Sequence, residues 1–149
     1  MQTIRRIGLE EAELLLAGAR ARSAEIGVPM CIAVADESGT LTAFVREDGA
    51  KVTSVELAID KAFTAAGARN HTTFYGRVSK PDGPAWGIAH SNGGRFSPIG
   101  GGVHILEDGV VVGGIGVSGG TAHEDHDVAM AAVAHLNDRI PTLTTQEPA

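Results

Sequence analysis

The chain is poor in several things whose absence is informative. It has one cysteine, Cys31, in 149 residues, so no intrachain disulfide and no cysteine-based metal cluster can form. Cys31 lies in the apolar run Pro29-Met30-Cys31-Ile32-Ala33-Val34-Ala35, where it reads as core packing rather than as a nucleophile. Basic charge is also scarce: 12 Lys plus Arg against 18 Asp plus Glu leave a formal net charge of −6. The basic residues are scattered, not striped, which argues against a phosphate-neutralising surface and against nucleic acid as a partner. No apolar run approaches the roughly 18 residues that span a bilayer, and the N-terminal stretch carries Glu10, Glu11 and Glu13 where a signal peptide needs its apolar core. A soluble, cytoplasmic protein with no membrane partner is expected.

What is abundant is glycine. Hydrophobic residues make up 43% and charged residues 20%, ordinary for a folding chain, and the length is that of one domain. The 20 glycines are about twice the ~7% average, and most fall between Gly76 and Gly120, so this third of the chain must turn tightly or let something approach its backbone closely.

Apolar residues at Leu9, Ala12, Leu16, Ala19 and Ile26 recur at helical period, with Glu10 and Glu11 in the first turn and Gly27 as a stop, which predicts an amphipathic helix. Pro29–Asp36 and Leu41–Arg46 flank the turn residues Glu37-Ser38-Gly39-Thr40 and predict an antiparallel hairpin. Over 52–66 a second helix is predicted, with Val52, Val55, Ile59, Phe63 and Ala66 on one face and Thr53 with Glu56 as a capping box. Between Asn70 and Gly102 periodicity is lost apart from a helical turn over His71–Tyr75. Phe74, Tyr75, Trp86, Ile88 and Phe96 make this stretch read as an ordered covering loop. Gly102–Leu106 and Val110–Val117 flank Asp108-Gly109, a strong hairpin signal, and Thr121 with Glu124 caps a helix running to about Asn137. The order implies an antiparallel sheet with helices packed on it, an α+β domain over 1–139, followed by a frayed tail over 140–149.

Gly114-Ile115-Gly116-Val117-Ser118-Gly119 matches G-x-G-x-x-G between a strand and a helix, but too few residues follow for the parallel strand that a dinucleotide fold requires. No nicotinamide or flavin is expected. Ser118-Gly119-Gly120 leads into helix N–H groups that either hold an anion or are capped by Thr121 and Glu124. Gly100-Gly101-Gly102 either forms a bulge or offers a flat wall to a ligand. His123 and His126, spaced for one helix face, read as solvated polar residues; no metal site is assigned. His104 stands opposite Val103 and Ile105 in its strand, as a hydrogen-bonded sheet residue or as a ligand and proton-transfer group. His71, His90 and His135 belong to no recognisable constellation. Arg46 is suited to clamp a carboxylate, Asp48 follows it in the turn, and Lys61 beside Asp60 reads as part of a solvated helix face.

As a set, Phe44-Val45-Arg46-Glu47-Asp48-Gly49-Ala50, Ala58-Ile59-Asp60-Lys61-Ala62, Ser91-Asn92-Gly93-Gly94-Arg95, the triple glycine and Gly114–Thr121 resemble the GlcG/HbpS-like family, whose module also ends PduO-type proteins. The resemblance covers residues 5 to 137. It implies a profilin-like α/β/α arrangement with a five-stranded antiparallel sheet, homo-oligomers and, in some members, binding of heme or a related tetrapyrrole. It carries over Arg46, Asp48, Lys61, Gly100, Gly101, Gly102, Ser118, Gly119 and Gly120 as pocket positions. One departure stands out: His104 occupies a position where relatives usually have proline.

Two functions are compatible with this reading. In the first the chain binds a small ligand, heme foremost, with His104 as an imidazole for iron. One Trp, one Tyr and four Phe offer little flat wall for a porphyrin. In the second it is a cofactor-free lyase or isomerase acting on a small carboxylated catabolic intermediate, aromatic ones included. Arg46 or the Ser118-Gly119-Gly120 backbone would then hold the carboxylate, with His104 and Lys61 as the catalytic pair.

Overall fold

Turn chemistry sets the element boundaries. In the computed structural model, which describes residues 1–148, α1 (Leu9–Ile26) ends at Gly27 in the left-handed region, φ 71°. β1 (Cys31–Asp36) and β2 (Leu41–Arg46) form the first hairpin, then come α2 (Ser54–Gly67) and α3 (Thr72–Val78). Two 3-10 turns, Ile88–His90 and Asn92–Gly94, interrupt the glycine-rich stretch. β3 (Gly102–Glu107) and β4 (Val110–Ser118) turn at Asp108 and Gly109, both at positive φ (51° and 76°), as a tight hairpin loop requires. α4 (Ala122–Arg139) opens with the expected reciprocal cap: Thr121 Oγ1 accepts from the Glu124 N–H, and the Glu124 carboxylate accepts from the Thr121 N–H.

The sheet is five-stranded and antiparallel throughout, in the order β2-β1-β4-β3-β5. α1 and α4 cover one face over the larger core of Leu15, Ile32, Val34, Ile105, Ile115 and Leu136. α2 covers the other face over Cys31, Ala33 and Ala35. The mixed α+β architecture matches the one expected. Its fifth strand, β5 (Leu143–Thr144), pairs with β3 and comes from the segment expected to fray. Leu143 is 5% exposed there, and its side chain is enough to hold the tail on the sheet. Among the described residues no helix is long and apolar enough to cross a membrane.

The expected inward face of α2 is largely replaced by another, for one reason. The face α2 turns inward is Ala58, Lys61, Ala62, Ala65 and Ala66, while Val52 is 73% exposed. A Cβ at Gly116 would overlap the Ala58 carbonyl oxygen, and one at Gly114 would lie 3.0 Å from the Ala62 carbonyl oxygen. The α2 backbone therefore rests directly on a glycine face of β4, and only small side chains fit between. On α1 the expected stripe holds at Ala12 and Ala19, which are buried, and at Leu16 and Ile26, which pack half-buried on the core, while Leu9 is 59% exposed; Gly18 lets α1 close against His135 of α4. The cap at Thr53 is not formed; Thr53 is itself helical and its side chain accepts no capping bond. In the covering loop Tyr75 packs edge-on against Phe74 and Phe96, but Trp86 is 66% exposed and covers nothing.

Gly116→Ala is expected to destabilise the fold by on the order of 2–3 kcal/mol in urea unfolding, since neither the α2 nor the β4 backbone can retreat. Gly67→Ala, where the added methyl meets nothing within 4 Å, should be neutral or slightly stabilising.

Candidate functional site

α2 carries one charge into the interior. Lys61, 1% exposed, donates from Nζ to Asp125 Oδ2 at 2.8 Å and to the Val117 carbonyl at 2.9 Å. The other carboxylate oxygen, Asp125 Oδ1, accepts from the Gly120 N–H at 2.8 Å. Burial pushes the Lys61 ammonium below its ordinary range, opposed by the Asp125 charge and hydrogen bond. Glycine lets the backbone close over this pair. Gly101, φ 123°, would with a Cβ come within 2.9 Å of Asp125 Cβ and 3.0 Å of Lys61 Nζ. A Cβ at Gly119 would strike the Pro29 carbonyl and Met30 Sδ, and one at Gly120 the Glu124 carboxylate. The sequence left the Ser118–Thr121 turn open between anion site and self-capped helix; in the structure the Thr121–Glu124 cap forms, and the Gly120, Thr121 and Glu124 N–H groups all have protein acceptors. Lys61, Ser118, Gly119 and Gly120 do share a small cleft of about 200 Å³ with Lys51 and Asp125.

Beside it, between α3 and α4, lies a cleft of about 370 Å³ walled by Gly76, Pro98, Ile99, Gly100 and Ala122. Arg77, His123 and His126 supply its polar groups. Gly100 keeps this floor flat: a Cβ would stand 2.9 Å from the Ala122 carbonyl oxygen and 3.2 Å from Thr73 Cγ2. Thr73 Oγ1, also on the wall, is buried with no hydrogen-bond partner.

His104 is elsewhere. It is 5% exposed and its ring centroid is 4.7 Å from that of His71, whose ring in turn lies 5.6 Å from that of His126. His71, at the start of α3 and fully buried, shares a hydrogen bond between Nε2 and Thr145 Oγ1 at 2.8 Å. The carboxylate of Glu147, brought in by the tail after β5, lies 3.1 Å from His126 Nε2 and 3.4 Å from His71 Nδ1. Burial, then the neighbouring His104, hold His71 down to about 4. Burial likewise lowers His104, against the pull of Glu147. Burial raises the Glu147 carboxyl, but the His126 hydrogen bond and His71 outweigh it and leave it below its usual range.

A model of the family described as "Haem degrading protein HbpS-like" matches residues 7–134. The chain belongs to the HbpS-like family. It is 32% identical over 133 residues to the corrinoid adenosyltransferase PduO of Citrobacter freundii, covering 89% of this chain but 40% of that protein. The HbpS-like chain thus spans well under half the length of that relative. Among solved structures it superimposes on Klebsiella pneumoniae protein ORFY with a TM-score of 0.89 at 28% identity, covering 92% of this chain and 94% of that one. On a crystal structure of a PduOC:heme complex the TM-score is 0.85 at 31% identity, covering 89% of this chain and 96% of that one.

The positions carried over from the family therefore fall into separate places in this HbpS-like chain. Lys61, Gly101, Ser118, Gly119 and Gly120 surround the ion pair, and Gly100 floors the α3–α4 cleft. Gly102 is pressed under Thr72, whose hydroxyl accepts its N–H at 2.8 Å. Arg46 binds the Ala50 carbonyl at 3.4 Å, and Asp48 lines a surface hollow with Ser23, Pro29 and Glu47. His104 lines neither cleft next to the glycine turns. Lys61 is not on a solvated face, as its neighbour Asp60 suggests; Asp60 instead pairs outward with Arg95 at 3.1 Å. Sequence reasoning missed Asp125, His71 and Glu147. The first was hidden as the residue between two histidines. The other two lie 76 residues apart, and no spacing rule links them.

Asp125→Ala is expected to cost about 3–5 kcal/mol in urea unfolding, because the ammonium is left buried and unpaired; Lys61→Met with Asp125→Leu should cost less than the single change. A second prediction concerns pH. The folded chain keeps His71 neutral down to about 4, whereas the unfolded chain protonates it near 6.5, facing His104, His126 and Glu147 in the fold. Stability from this group is full above the upper value and is lost as pH falls toward the lower, on the order of 2 kcal/mol. Urea midpoints measured across that window should decline, and His71→Gln should flatten the decline.

Proposed function

We propose that this chain binds a small planar ligand, heme foremost, in the cleft between α3 and α4. The observation that carries the reading is the PduOC:heme complex, a neighbour at 31% identity over 89% of this chain. The cleft suits such a group on its own chemistry. Pro98, Ile99, Ala122 and two glycines make an apolar wall without bulk, the orphan Thr73 hydroxyl lacks a partner, and Arg77 at the rim is exposed. His123, exposed in the first turn of α4, is the imidazole free to meet iron, while Arg77 is placed to meet a propionate. Bound heme would supply an iron centre whose properties follow from its axial ligand and the polarity around it.

What the chain itself would do is positional. Gly76 and Gly100 leave room for a flat ring, Ile99 and Ala122 would lie against its face, and α4 is held in place from behind by Asp125. The volume lies at the lower end of ligand pockets, so a macrocycle would remain partly open on one side. A homo-oligomer, which the family resemblance implies, would cover that side. The competing lyase or isomerase reading finds no support in the arrangement: Arg46, His104 and the glycine turn do not face one cleft.

Titrating the purified chain with hemin should produce a saturable Soret shift. His123→Ala should weaken binding by more than about tenfold and change the Soret position, and Arg77→Ala should weaken it less, by about 1 kcal/mol. A spectrum identical to free hemin, or one that His123→Ala leaves unchanged, removes the proposed site.

A further inference from the structure

Behind that cleft, His71, His126 and Glu147 each offer one ligand atom, and these atoms all lie within 4.8 Å of one another. The geometry points to a divalent transition-metal site there, of the Zn2+ class, built from His71 Nδ1, His126 Nε2 and the Glu147 carboxylate.

His71 lacks a partner on one side of its ring. Its ring is 0% exposed, and Nδ1 has no hydrogen-bond partner although Glu147 Oε2 is 3.4 Å away. We assign the other nitrogen, Nε2, as the one bearing hydrogen and donating to Thr145 Oγ1 at 2.8 Å. With the hydrogen on Nε2, Nδ1 presents its lone pair toward the Glu147 carboxylate oxygen. A cation between them satisfies both. Donors arranged tetrahedrally about zinc at ~2.0–2.1 Å stand about 3.3–3.4 Å apart. His71 Nδ1 stands 3.4 Å from Glu147 Oε2 and His126 Nε2 3.1 Å from Glu147 Oε1, and the three donors all lie within 4.8 Å of one another, so small side-chain adjustments would close the set around one ion. Two imidazoles and one carboxylate are a donor set that zinc accepts, with a fourth position left for water.

The surroundings are those of a metal site. The Thr145 hydroxyl, hydrogen-bonded to Nε2, holds the His71 ring orientation, as outer partners of metal-bound histidines do. His104 packs its ring against His71 and keeps that side closed. His126 also lines the α3–α4 cleft, which gives an ion a route in. The three donors come from α3, α4 and the tail past β5, so a bound ion would staple the tail to two helices. The inference does not rest on heme binding, since Glu147 is not part of the α3–α4 cleft wall.

The test uses the full chain freed of metal with a chelator, titrated with Co2+ and then with Zn2+ in competition. One ion per chain is expected, with the strong visible absorption of a low-coordinate N/O site, displaced by Zn2+, and a rise in thermal midpoint on loading. Glu147→Gln and His126→Ala, both at positions that reach the surface, should each weaken Zn2+ binding by more than about tenfold. Glu147→Gln should leave the hemin titration unchanged, separating this site from the proposed heme cleft. Absence of saturable Co2+ binding, or Zn2+ affinity the same in wild type and both variants, overturns the assignment.

Discussion

The buried ion pair between Lys61 and Asp125 is the contact on which the rest of the molecule depends. It joins α2 on one face of the sheet to α4 on the other, around the end of β4, and takes the Val117 carbonyl and Gly120 N–H into the same network. A buried charge is tolerated when it is paired and hydrogen-bonded, and is severely costly when its partner is lost. The backbone must therefore wrap the pair closely enough to exclude water. Gly101, Gly119 and Gly120 allow that wrapping, each at a point where a Cβ would strike the pair or the chain around it. The glycine motifs that look like ligand cradles are, at these three positions, a seal around a charge.

That seal shapes the surface around it. With the turn into α4 internally satisfied, the opening left beside it is the α3–α4 cleft, bounded by the first of the three consecutive glycines and by the histidine-bearing first turns of α4. Behind this cleft the tail returns to the sheet as β5 and delivers Thr145 and Glu147 to His71 and His126. The two regions share His126, so ligand chemistry in the cleft and the anchoring of the tail are mechanically adjacent.

Much of this was readable from the residues. The two hairpins, the Gly27 stop, the Thr121–Glu124 cap and the α+β order follow from short-range turn and capping chemistry, which acts within a few residues. His104 was correctly set on the face opposite Val103 and Ile105. The inward face of α2 was largely misread, because periodicity arguments weigh large apolar side chains and this interior is layered with alanine and glycine. Ile59 and Phe63 fit the helical period, yet Ala58, Ala62 and Ala65 are what lie against the sheet. Lys61 was misread for the same reason: a lysine on a helix signals solvent unless its partner, here 64 residues away, is known.

The sequence by itself determined where the chain turns, where its helices are capped, and that an antiparallel sheet carries helices on it, because those choices depend on backbone preferences of neighbouring residues. Only the tertiary structure decided which helix faces are buried, that Lys61 meets Asp125, that His71, His126 and Glu147 converge while His104 stays clear of the glycine turns, and that the tail is a strand. These are contacts between residues far apart in the chain, set by how closely whole layers can approach one another. Interlayer distance is a property of the assembled backbone and of no local stretch of sequence.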